Sequence, residues 1–378
     1  MKIVHLIPSL ACGGGEILMG NIAIEQAQTG HEVNIIVLEK LTDSFLKYPL
    51  KDKFKNLVKI IEMDVNISFS FLKNELVVSN KSFDEFLTNF QPEIVHSHLF
   101  MSELISRNNL LAGVKYFTHC HNNMPQFNFL EKKKFKRRIT DFREYKWLMK
   151  KYMECGNHFI TISKDTQAFY KKWVHSTIRD HIYFLKNGIN TSIYYSNKEK
   201  INEPIFQLIT VGTLLKNKGH SFLIDCVNEL VNEGIEIQLS IVGDGPEMAE
   251  LAGKIEMLGL KKNIFLVGNV GNVNDYLSQA HLYVHAAFKE AFGLVLIEAM
   301  ASELPVIATN GGGNKDLIIN DYNGYLIESR DVEEFNKKIK FLLNNPAARL
   351  KLGENAIDFS KSFDIKEYVI KLHEMYLK

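Results

Sequence analysis

The stretch from His285 to Gly313 reads HAAFKEAFGLVLIEAMASELPVIATNGGG. Glu290 precedes an Ala-Phe-Gly turn, and Glu298 lies within a short apolar helix that is predicted to begin near Leu294. The start of a helix carries free N–H groups and a partial positive charge, which suit a phosphate or diphosphate. The stretch therefore predicts a nucleotide-sugar site. A buried helix that carries two glutamates by chance is the weaker interpretation, because an unpaired charge at Glu298 would be costly among apolar neighbours.

Apolar runs alternate with segments of helical length on both sides of this stretch. In the second half of the chain the runs predict strands at 206–212, 237–242, 264–267, 282–285 and 306–308. In the first half they predict strands at 2–7, 33–38, 94–98, 114–119 and 159–162. Strands that are separated by helices form parallel sheets. The pattern predicts an α/β protein with two Rossmann-like domains.

A polar segment, SNKEKINEP, ends at Pro204 and separates the two halves. Its composition is typical of a boundary between domains. We place one domain at residues 1–190 and the other at 191–364. The amphipathic segment 365–378 is predicted to be a helix that packs on either domain, including back on the first.

The composition excludes several classes of protein. Lys and Arg number 45 against 44 Asp and Glu, so a net charge of +1 provides no whole-molecule field that would favour nucleic acid. No apolar run approaches the roughly 18–20 residues that a membrane-spanning helix needs. The four cysteines include no CxxC pair, and Met1 leads directly into a predicted strand rather than a secretory leader. These features predict a cytoplasmic protein.

Glycine-rich turns follow several predicted strands, at the edge where ligands bind in open α/β sheets. Gly13, Gly14 and Gly15 follow the first strand, and the segments VGTLLKNKG (211–219) and IVGDGPE (241–247) follow two strands of the second half. Lys218 in the first of these segments can neutralise a diphosphate. Tight turns and a solvated lysine are the alternatives. No loop has the complete GxGxxG fingerprint, which argues against a nicotinamide-dependent oxidoreductase.

Two pairs of histidines, His96/His98 and His119/His121, lie at i, i+2 near the ends of predicted strands. This spacing puts the members of a pair on one face of the sheet. A zinc site, a polar pocket for an acceptor and histidines packed at a rim are the three interpretations. We favour the pocket, because Cys120 points to the opposite face and no closed set of zinc ligands is evident.

The segment 131–151, EKKKFKRRITDFREYKWLMKK, mixes basic, aromatic and aliphatic residues at helical spacing. Such a helix suits the surface of an anionic bilayer. A solvated helix whose apolar stripe packs on the first domain is an equal alternative, and a nucleic-acid groove ranks last. The residues of this membrane or acceptor patch are Lys132, Lys133, Lys134, Lys136, Arg137, Arg138 and Trp147.

Together these motifs resemble the retaining glycosyltransferases of family 4, which have the GT-B fold. The most specific block is E-x7-E at Glu290 and Glu298, followed by PVIAT and GGG. The other matching segments are GGGE (13–16), GHEV (30–33), IVHSH (94–98), HCHN (119–122), ISK (162–164), NGIN (187–190), VGTLLKNKG and IVGDGPE. The resemblance covers nearly the whole chain. It implies two Rossmann-like domains whose parallel sheets face a central cleft, with the acceptor bound by the first and the nucleotide sugar by the second.

The resemblance also implies roles for particular residues. Glu298 would bond the ribose, Glu290 would hold the donor sugar, and Lys218 would lie on the phosphates. His119 or His121 would line the acceptor side, so that Glu290, His119, His121 and Lys218 form the expected catalytic set. The remaining donor-binding positions are Gly14, Gly15, Gly212, Thr213, Gly243, Phe292, Gly293 and Leu294.

The chain departs from the family pattern at three positions. Thr213 stands where the family usually has Arg, which removes one positive charge from the diphosphate site. Asn190 replaces an Asp, and Asp316 replaces a Glu. Only the first of these bears on donor affinity.

The implied activity is retaining transfer of a hexosyl group from a nucleotide sugar, with UDP as the expected nucleotide. The acceptor would be a hydroxyl of a glycan or lipid-linked molecule in the synthesis of bacterial capsule, exopolysaccharide or lipopolysaccharide. A GT-B-fold sugar-nucleotide epimerase and a non-catalytic GT-B subunit are the alternatives. No Asp-x-Asp motif is present, so no metal cofactor is expected. The expected location is the cytoplasm, with peripheral attachment to the inner face of the membrane, and no nucleic-acid partner is expected.

Overall fold

The computed structural model divides the chain into two compact units. The first comprises Met1–Lys186 and Tyr368–Lys378, and the second comprises Asn187–Glu367. The predicted boundary at residue 190 falls close to this division. The structure describes residues 1–10, 13–41, 51–54, 56–63, 65–70, 75–79, 81–131, 135–197, 205–328 and 330–378.

The first unit is built on a parallel sheet. Its strands are β1 (Lys2–Ile7), β2 (Glu32–Val37), β3 (Lys59–Glu62), β4 (Asn66–Ser70), β5 (Glu75–Ser79), β6 (Ile94–His98), β7 (Lys115–Cys120), β8 (His158–Thr161) and β9 (Ile182–Phe184). Seven of them form the sheet, in the order β3-β2-β1-β6-β7-β8-β9, and β4 and β5 form a separate antiparallel pair.

Helices cover this sheet. They are α1 (Gly14–Gln28), α2 (Lys51–Phe54), α3 (Lys81–Phe90), α4 (Phe100–Ser106), α5 (Phe135–Cys155) and α6 (Lys164–Trp173), with 3-10 turns at Phe129–Glu131 and Ser176–His181. β1 has five buried residues in succession, as expected for a strand that is covered on both faces. Helix α6 begins at a capping box in which Ser163 and Thr166 bond each other's backbone.

The second unit repeats the same plan. Its strands are β10 (Phe206–Val211), β11 (Ile237–Val242), β12 (Ile264–Gly268), β13 (Leu282–His285), β14 (Val306–Thr309) and β15 (Gly324–Ile327). They form a parallel sheet in the order β12-β11-β10-β13-β14-β15. The predicted α/β class with two parallel-sheet, Rossmann-like domains is therefore confirmed.

The helices of the second unit again follow its strands. They are α7 (His220–Asn232), α8 (Met248–Met257), α9 (Val273–Gln279), α10 (Leu294–Ala301), α11 (Val332–Asn344) and α12 (Pro346–Ser360), with 3-10 turns at Thr191–Ile193, Lys216–Lys218, Gly313–Asp316 and Lys361–Phe363. The last helix, α13 (Ile365–Leu377), begins in the second unit, and its residues from Tyr368 onward belong to the first. Among the helices that the structure describes, none is both long enough and apolar enough to cross a membrane.

Each sheet has a point where the chain order reverses. In the first unit β1 lies between β2 and β6, and in the second unit β10 lies between β11 and β13. Open α/β sheets generally bind ligands beyond the carboxyl ends of their strands at such a point. The register places His5 beside His96 and His98 beside His119, so four histidines lie on adjacent strands at this end of the first sheet.

Three strands of these sheets and the small hairpin were not predicted. Strands β3, β9 and β15 have only three or four residues each and lie at the edges of their sheets. Their pairing partners on the sheet, rather than their own composition, make them strands.

The glycines that follow β14 are required by a close backbone contact. A Cβ atom at Gly311 would lie 1.9 Å from the carbonyl oxygen of Ala287, and one at Gly312 would lie 2.8 Å from that of Glu290. Gly312 also has a φ of +80°, which favours glycine. This turn therefore packs directly against the loop that carries Glu290.

We expect Gly311→Ala to destabilise the protein by about 1–3 kcal/mol, because the added methyl group forces two backbone segments apart. Thermal unfolding of the purified variant should show a lower Tm than wild type. Gly253→Ala is the matched control: Gly253 lies inside helix α8 with no atom within 4 Å of an added Cβ. That variant should be neutral or slightly stabilised. An unchanged Tm for Gly311→Ala would contradict the packing argument.

Candidate functional site

The loop between β13 and α10 carries Glu290 and is fixed by the glycine turn. The Glu290 N–H donates to the Gly311 carbonyl at 2.8 Å, and the Gly313 N–H donates to the Glu290 carbonyl at 2.8 Å. Gly293, with a φ of +94°, directly precedes the first residue of α10, Leu294. The predicted helix start is therefore confirmed, and the turn at 311–313 supports the loop beside it.

Glu290 forms an ion pair with Lys218. The Lys218 Nζ lies 2.5 Å from the Glu290 Oε2, and the His285 Nε2 lies 3.6 Å from the same oxygen. Burial alone would raise the pKa of Glu290, but the nearby His285 ring and the Lys218 ammonium lower it to about 2. Glu290 is therefore an ionised carboxylate at neutral pH. From the sequence, only the family resemblance assigns Glu290 and Lys218 to one site. The structure shows that the two side chains are in contact.

Glu298 has a different environment. Burial raises the pKa of Glu298 to about 7, and a hydrogen bond with the Tyr194 hydroxyl opposes this shift only in part. The carboxylate lies in the second turn of α10, whose neighbours on either side are apolar. An acid that is desolvated and held by one hydroxyl gains when further hydrogen-bond donors, such as sugar hydroxyls, reach it.

The turn that carries Lys218 is held against the loop of Glu290. The Phe288 N–H donates to the Asn217 carbonyl at 3.0 Å, and Gly219 has a φ of +73° where a Cβ would lie 2.3 Å from the Ala286 carbonyl oxygen. Arg330 donates to that carbonyl at 2.6 Å, with its guanidinium 4.4 Å from the Phe288 ring. These contacts fix the backbone that presents Lys218 to Glu290.

The other predicted donor-binding residues of the second unit lie around these two loops. A Cβ at Gly243 would lie 2.1 Å from the Gly212 carbonyl oxygen, so backbone packing alone requires a glycine at this position. Thr213 is exposed and Phe292 is buried. The structure thus shows where Gly212, Thr213, Gly243, Phe292, Gly293 and Leu294 lie, while their role in binding stays a prediction.

Sequence reasoning missed several residues of this site. His285, Tyr194 and Arg330 contact the predicted residues or the loops that hold them. His285 could have been found, because it ends a predicted buried strand at the ligand-binding edge. Tyr194 and Arg330 lie outside any motif, so only the folded chain reveals their positions.

The two predicted histidine pairs form one cluster in the first unit, together with His5. The rings of His96 and His98 stack with centroids 4.6 Å apart, and those of His119 and His121 stack at 4.3 Å. His5, His96, His98 and His119 are buried, and His121 is partly exposed. The i, i+2 spacing does place each pair on one face of the sheet.

Direct hydrogen bonds connect three of these histidines. The His5 Nδ1 lies 3.0 Å from the His98 Nε2, and the His98 Nδ1 lies 2.9 Å from the His121 Nε2. The His5 Nε2 lies 2.8 Å from the Gln26 Oε1 of helix α1. Burial lowers the pKa values of His5 and His121 to about 4 and that of His98 well below its ordinary value. All three rings are therefore neutral at neutral pH.

The cluster also has the spacing of a metal site. The ring nitrogens of His5, His96 and His98, and those of His98, His119 and His121, lie within 4.8 Å of one another. The hydrogen bonds to His5 and His121 already engage both ring nitrogens of His98. A metal ion would have to replace these bonds, so the donor atoms as they stand fit a hydrogen-bonded cluster better than a coordination site.

A cavity of about 300 Å³ lies beside the cluster. Its lining includes His119, His121, Glu103, Thr118, Asn122 and Gln126, together with apolar residues of α4 and the segment after β7. Burial raises the pKa of Glu103 to about 7, although the neighbouring Arg107 opposes the shift. No sequence motif pointed to Glu103. Gly14 opens helix α1, and an added Cβ at Gly15 would lie 3.2 Å from the His121 Nδ1.

Helix α5 has two distinct halves. In its second half Tyr145, Trp147, Leu148, Met149 and Tyr152 belong to the core of the first unit or pack against it. In the first turns, by contrast, Phe135 is 72 % exposed, and Ile139 and Phe142 are also exposed among Lys136, Arg137 and Arg138. Arg137 pairs with Asp141 at 2.8 Å. Lys132, Lys133 and Lys134 lie outside the described residues.

The halves of α5 therefore match different interpretations. Trp147 belongs to the packed stripe and is wrongly placed in a surface patch. The exposed apolar and basic residues of 135–142 remain candidates for a membrane or acceptor surface.

Two protein-family models match the chain and together span residues 12–359. The model described as "Glycosyltransferase Family 4" matches residues 12–193, and that described as "Glycosyl transferases group 1" matches 194–359.

Curated relatives are similar to parts of the chain. An uncharacterized glycosyltransferase of Methanocaldococcus jannaschii is 30% identical over 226 residues, which are 58% of this chain and 59% of that protein. The capsular polysaccharide biosynthesis glycosyltransferase CapM of Staphylococcus aureus is 29% identical over 178 residues, 45% of this chain and 47% of CapM. The chain thus spans about half of the length of these relatives.

A solved structure shares the whole fold. HepE of Anabaena, crystallised in complex with UDP and glucose, superimposes with a TM-score of 0.80 at 18% sequence identity, and the match covers 100% of both chains. Similarity at this level of identity establishes the fold, which is the GT-B fold predicted from the sequence.

The raised pKa of Glu298 predicts a pH dependence of stability. Because the folded state favours the protonated carboxyl, ionisation destabilises the protein as the pH rises from about 4.5 toward about 7. We expect Glu298→Gln to remove this loss, so that its Tm relative to wild type increases between pH 5 and pH 8, by an equivalent of roughly 1–3 kcal/mol. Thermal unfolding of the ligand-free protein at the two pH values measures the difference.

The control for this measurement is Glu354→Gln, which changes an exposed glutamate of the same unit. Its Tm should follow that of wild type at both pH values. Parallel pH profiles for Glu298→Gln and wild type would show that Glu298 ionises normally.

Proposed function

Because the chain belongs to glycosyltransferase family 4, we propose that it transfers a hexosyl group from a nucleotide-diphosphate sugar to a hydroxyl of a glycan or lipid-linked acceptor, with retention at the anomeric carbon. We further propose that UDP is the nucleotide and that the product is a bacterial surface polysaccharide. The names of the relatives support this proposal, since CapM acts in capsular polysaccharide biosynthesis and HepE was crystallised with UDP.

The contrast between Glu290 and Glu298 carries the proposal. Glu290 is ionised and paired with Lys218, whereas Glu298 is desolvated beside the Tyr194 hydroxyl. A nucleotide sugar can provide hydrogen-bond donors to both carboxylates. Its ribose hydroxyls can donate to Glu298, and its donor-sugar hydroxyls can donate to Glu290. The two acids then hold the ends of one donor rather than act as an acid/base pair.

The Lys218 ammonium is the group proposed to stabilise the leaving diphosphate. It has three N–H donors, so it can contact a diphosphate while it keeps its bond to Glu290. The N-terminus of α10 at Leu294 adds backbone N–H groups and a partial positive charge. As the bond to the sugar breaks, negative charge grows on the diphosphate, and positive groups placed beforehand lower the barrier. In this proposal the protein's own groups serve this purpose and no metal is required.

The acceptor side is assigned to the first unit. His119 and His121 line its cavity together with Asn122 and Gln126, which offer several hydrogen-bonding groups for hydroxyls. We propose front-face attack by the acceptor hydroxyl, with its proton passing to the leaving phosphate. A sugar-nucleotide epimerase of the same architecture and a non-catalytic subunit are the rival proposals.

The first turns of α5 are proposed to bind an anionic membrane. Phe135, Ile139 and Phe142 follow each other at i, i+4 and i+7, so they share one face of the helix. Lys136 and Arg138 are exposed beside them. An apolar face flanked by positive charge fits the interface of a bilayer that carries acidic lipids. This attachment would bring the enzyme to a lipid-linked acceptor.

We expect Glu298→Ala and Lys218→Ala each to lower sugar transfer by roughly 10²–10³-fold, because each removes a contact to the donor or its leaving group. UDP release is measured with a panel of UDP-sugars and a hydroxyl acceptor, after thermal shift has identified the stabilising donor. Lys216→Ala, an exposed lysine of the same 3-10 turn, is the matched control and should retain activity.

The outcomes separate the rival functions. Wild-type rates in both variants would reject the proposed site. Conversion of one UDP-sugar to its epimer without UDP release would identify an epimerase. Donor binding without turnover, despite the correct acceptor, would identify a non-catalytic subunit.

Co-sedimentation with lipid vesicles tests whether the first turns of α5 bind an anionic membrane. Wild type should bind vesicles of phosphatidylcholine mixed with phosphatidylglycerol, and the double change Lys136→Gln/Arg138→Gln should weaken binding by roughly tenfold or more, at ~1 kcal/mol for each basic residue. Phe135→Ser/Ile139→Ser should weaken it as well. Met257→Ser, which alters a 77 % exposed methionine of the second unit, is the control. Equal binding to pure phosphatidylcholine would contradict the electrostatic part of the proposal.

A further inference from the structure

We propose that Gln26, His5 and His98 act as positioning residues that fix His121 in one tautomer, with its proton on Nε2 and its Nδ1 free to accept a hydrogen bond from a substrate hydroxyl beside Gly15. The inference deepens the proposed function, because it assigns a chemical task to His121. None of the three positioning residues needs to touch the substrate.

The first step is the continuity of the hydrogen bonds. Gln26 bonds His5, His5 bonds His98, and His98 bonds His121, at 2.8, 3.0 and 2.9 Å. Each distance is that of a good hydrogen bond between side chains. The four groups come from helix α1, strands β1 and β6, and the residue directly after β7, so the fold rather than local sequence aligns them.

The second step is the direction of each hydrogen bond in the series Gln26–His5–His98–His121, that is, which atom donates and which accepts. A neutral imidazole has one N–H donor and one acceptor nitrogen, so a ring that donates on one side must accept on the other. The Gln26 Oε1 can only accept, which places the His5 proton on Nε2. The His5 Nδ1 must then accept from the His98 Nε2–H, and the His98 Nδ1 must accept from the His121 Nε2–H. The His121 Nδ1 is left as an acceptor.

Burial keeps the series neutral. Gln26, His5 and His98 are 0 % exposed, and desolvation disfavours an imidazolium in such surroundings. The pKa of His98 is lowered first by burial and then by the neighbouring His96 and His119, whose rings stack against it. His96 in turn bonds the Tyr376 hydroxyl through Nδ1 at 2.6 Å and lies outside the series. The tautomer is therefore set by hydrogen bonding and not by protonation.

The third step is access to the acceptor nitrogen. The His121 ring is partly exposed and borders the cavity of the first unit. Its Nδ1 lies next to Gly15, where an added Cβ would approach to 3.2 Å. Gly15 lies in the first turn of α1, and glycine within a helix is destabilising relative to alanine by roughly 0.5–1 kcal/mol. The missing side chain is explained if this position must leave the Nδ1 accessible.

Histidine tautomers can be read directly by NMR of the full chain labelled with 15N-histidine, and His121→Gln identifies the signals of His121. We expect the Nε2–H form in wild type and in Gln26→Glu, whose carboxylate also accepts. Gln26→Leu removes the acceptor at the end of the series and should give a mixture of both forms. Gln28→Leu, the same change at an exposed position of α1, is the control and should resemble wild type.

The same variants are compared in the sugar-transfer assay. Gln26→Leu should lower kcat/KM by about tenfold, whereas Gln26→Glu and Gln28→Leu should stay within about twofold of wild type, since one lost hydrogen bond of 1–1.5 kcal/mol corresponds to this factor. Gly15→Ala should leave the tautomer unchanged but lower kcat/KM at least as much, because the methyl group covers the Nδ1. This variant keeps the proposal testable if Gln26→Leu does not fold.

Several results would overturn the inference. They are an Nδ1–H tautomer in the wild type, an unchanged tautomer and rate in Gln26→Leu, full activity in Gly15→Ala, and stoichiometric zinc in the purified protein with metal-shifted 15N signals of His121. The tautomer is measured without substrate. A failure of the proposed function would therefore appear separately, as an absence of UDP release in the wild type.

Discussion

Both sheets are parallel and are covered by helices on their two faces, and this constraint determines where polar chemistry can occur. A strand that is buried on both sides offers no surface for a ligand along its length. Polar side chains that must meet a substrate are therefore confined to the edge where the strands end. In the first unit this edge holds the histidine cluster, and in the second it holds Lys218, His285 and Glu290.

The buried polar groups at these edges offset the cost of losing water in different ways. Glu290 keeps its charge because the His285 ring and the Lys218 ammonium lie beside it, whereas burial raises the pKa of Glu298 and the Tyr194 hydroxyl offsets only part of that shift. The histidines avoid charge altogether and bond one another. Each solution lowers the cost of burying a polar group. Each also leaves a defined capacity for hydrogen bonding or for charge at a position that a substrate can reach.

Much of this arrangement could be predicted from the sequence because it is local. The strands β1, β6, β11 and β13 have the predicted bounds. Of these, β1, β11 and β13 are mainly apolar runs closed by polar or turn residues. The start of α10 at Leu294 follows from the glycine that precedes it and the apolar run after it. Strands β3, β9 and β15 were not predicted, and each is an edge strand that pairs with one neighbour. Trp147 was assigned to a surface, although its side of α5 packs against the core.

The sequence by itself determined the α/β class, the two domains, the glycine turns and the family, because each depends on residue types at fixed short spacings. Only the tertiary structure decided that Lys218 pairs with Glu290, that Tyr194 meets Glu298, and that His5, His98 and His121 form one series ending at Gln26. These partners are between 21 and 104 positions apart in pairs such as His5–Gln26 and Tyr194–Glu298. Their contacts arise because a parallel sheet brings the ends of strands from distant parts of the chain to one edge, which no local pattern of residues records.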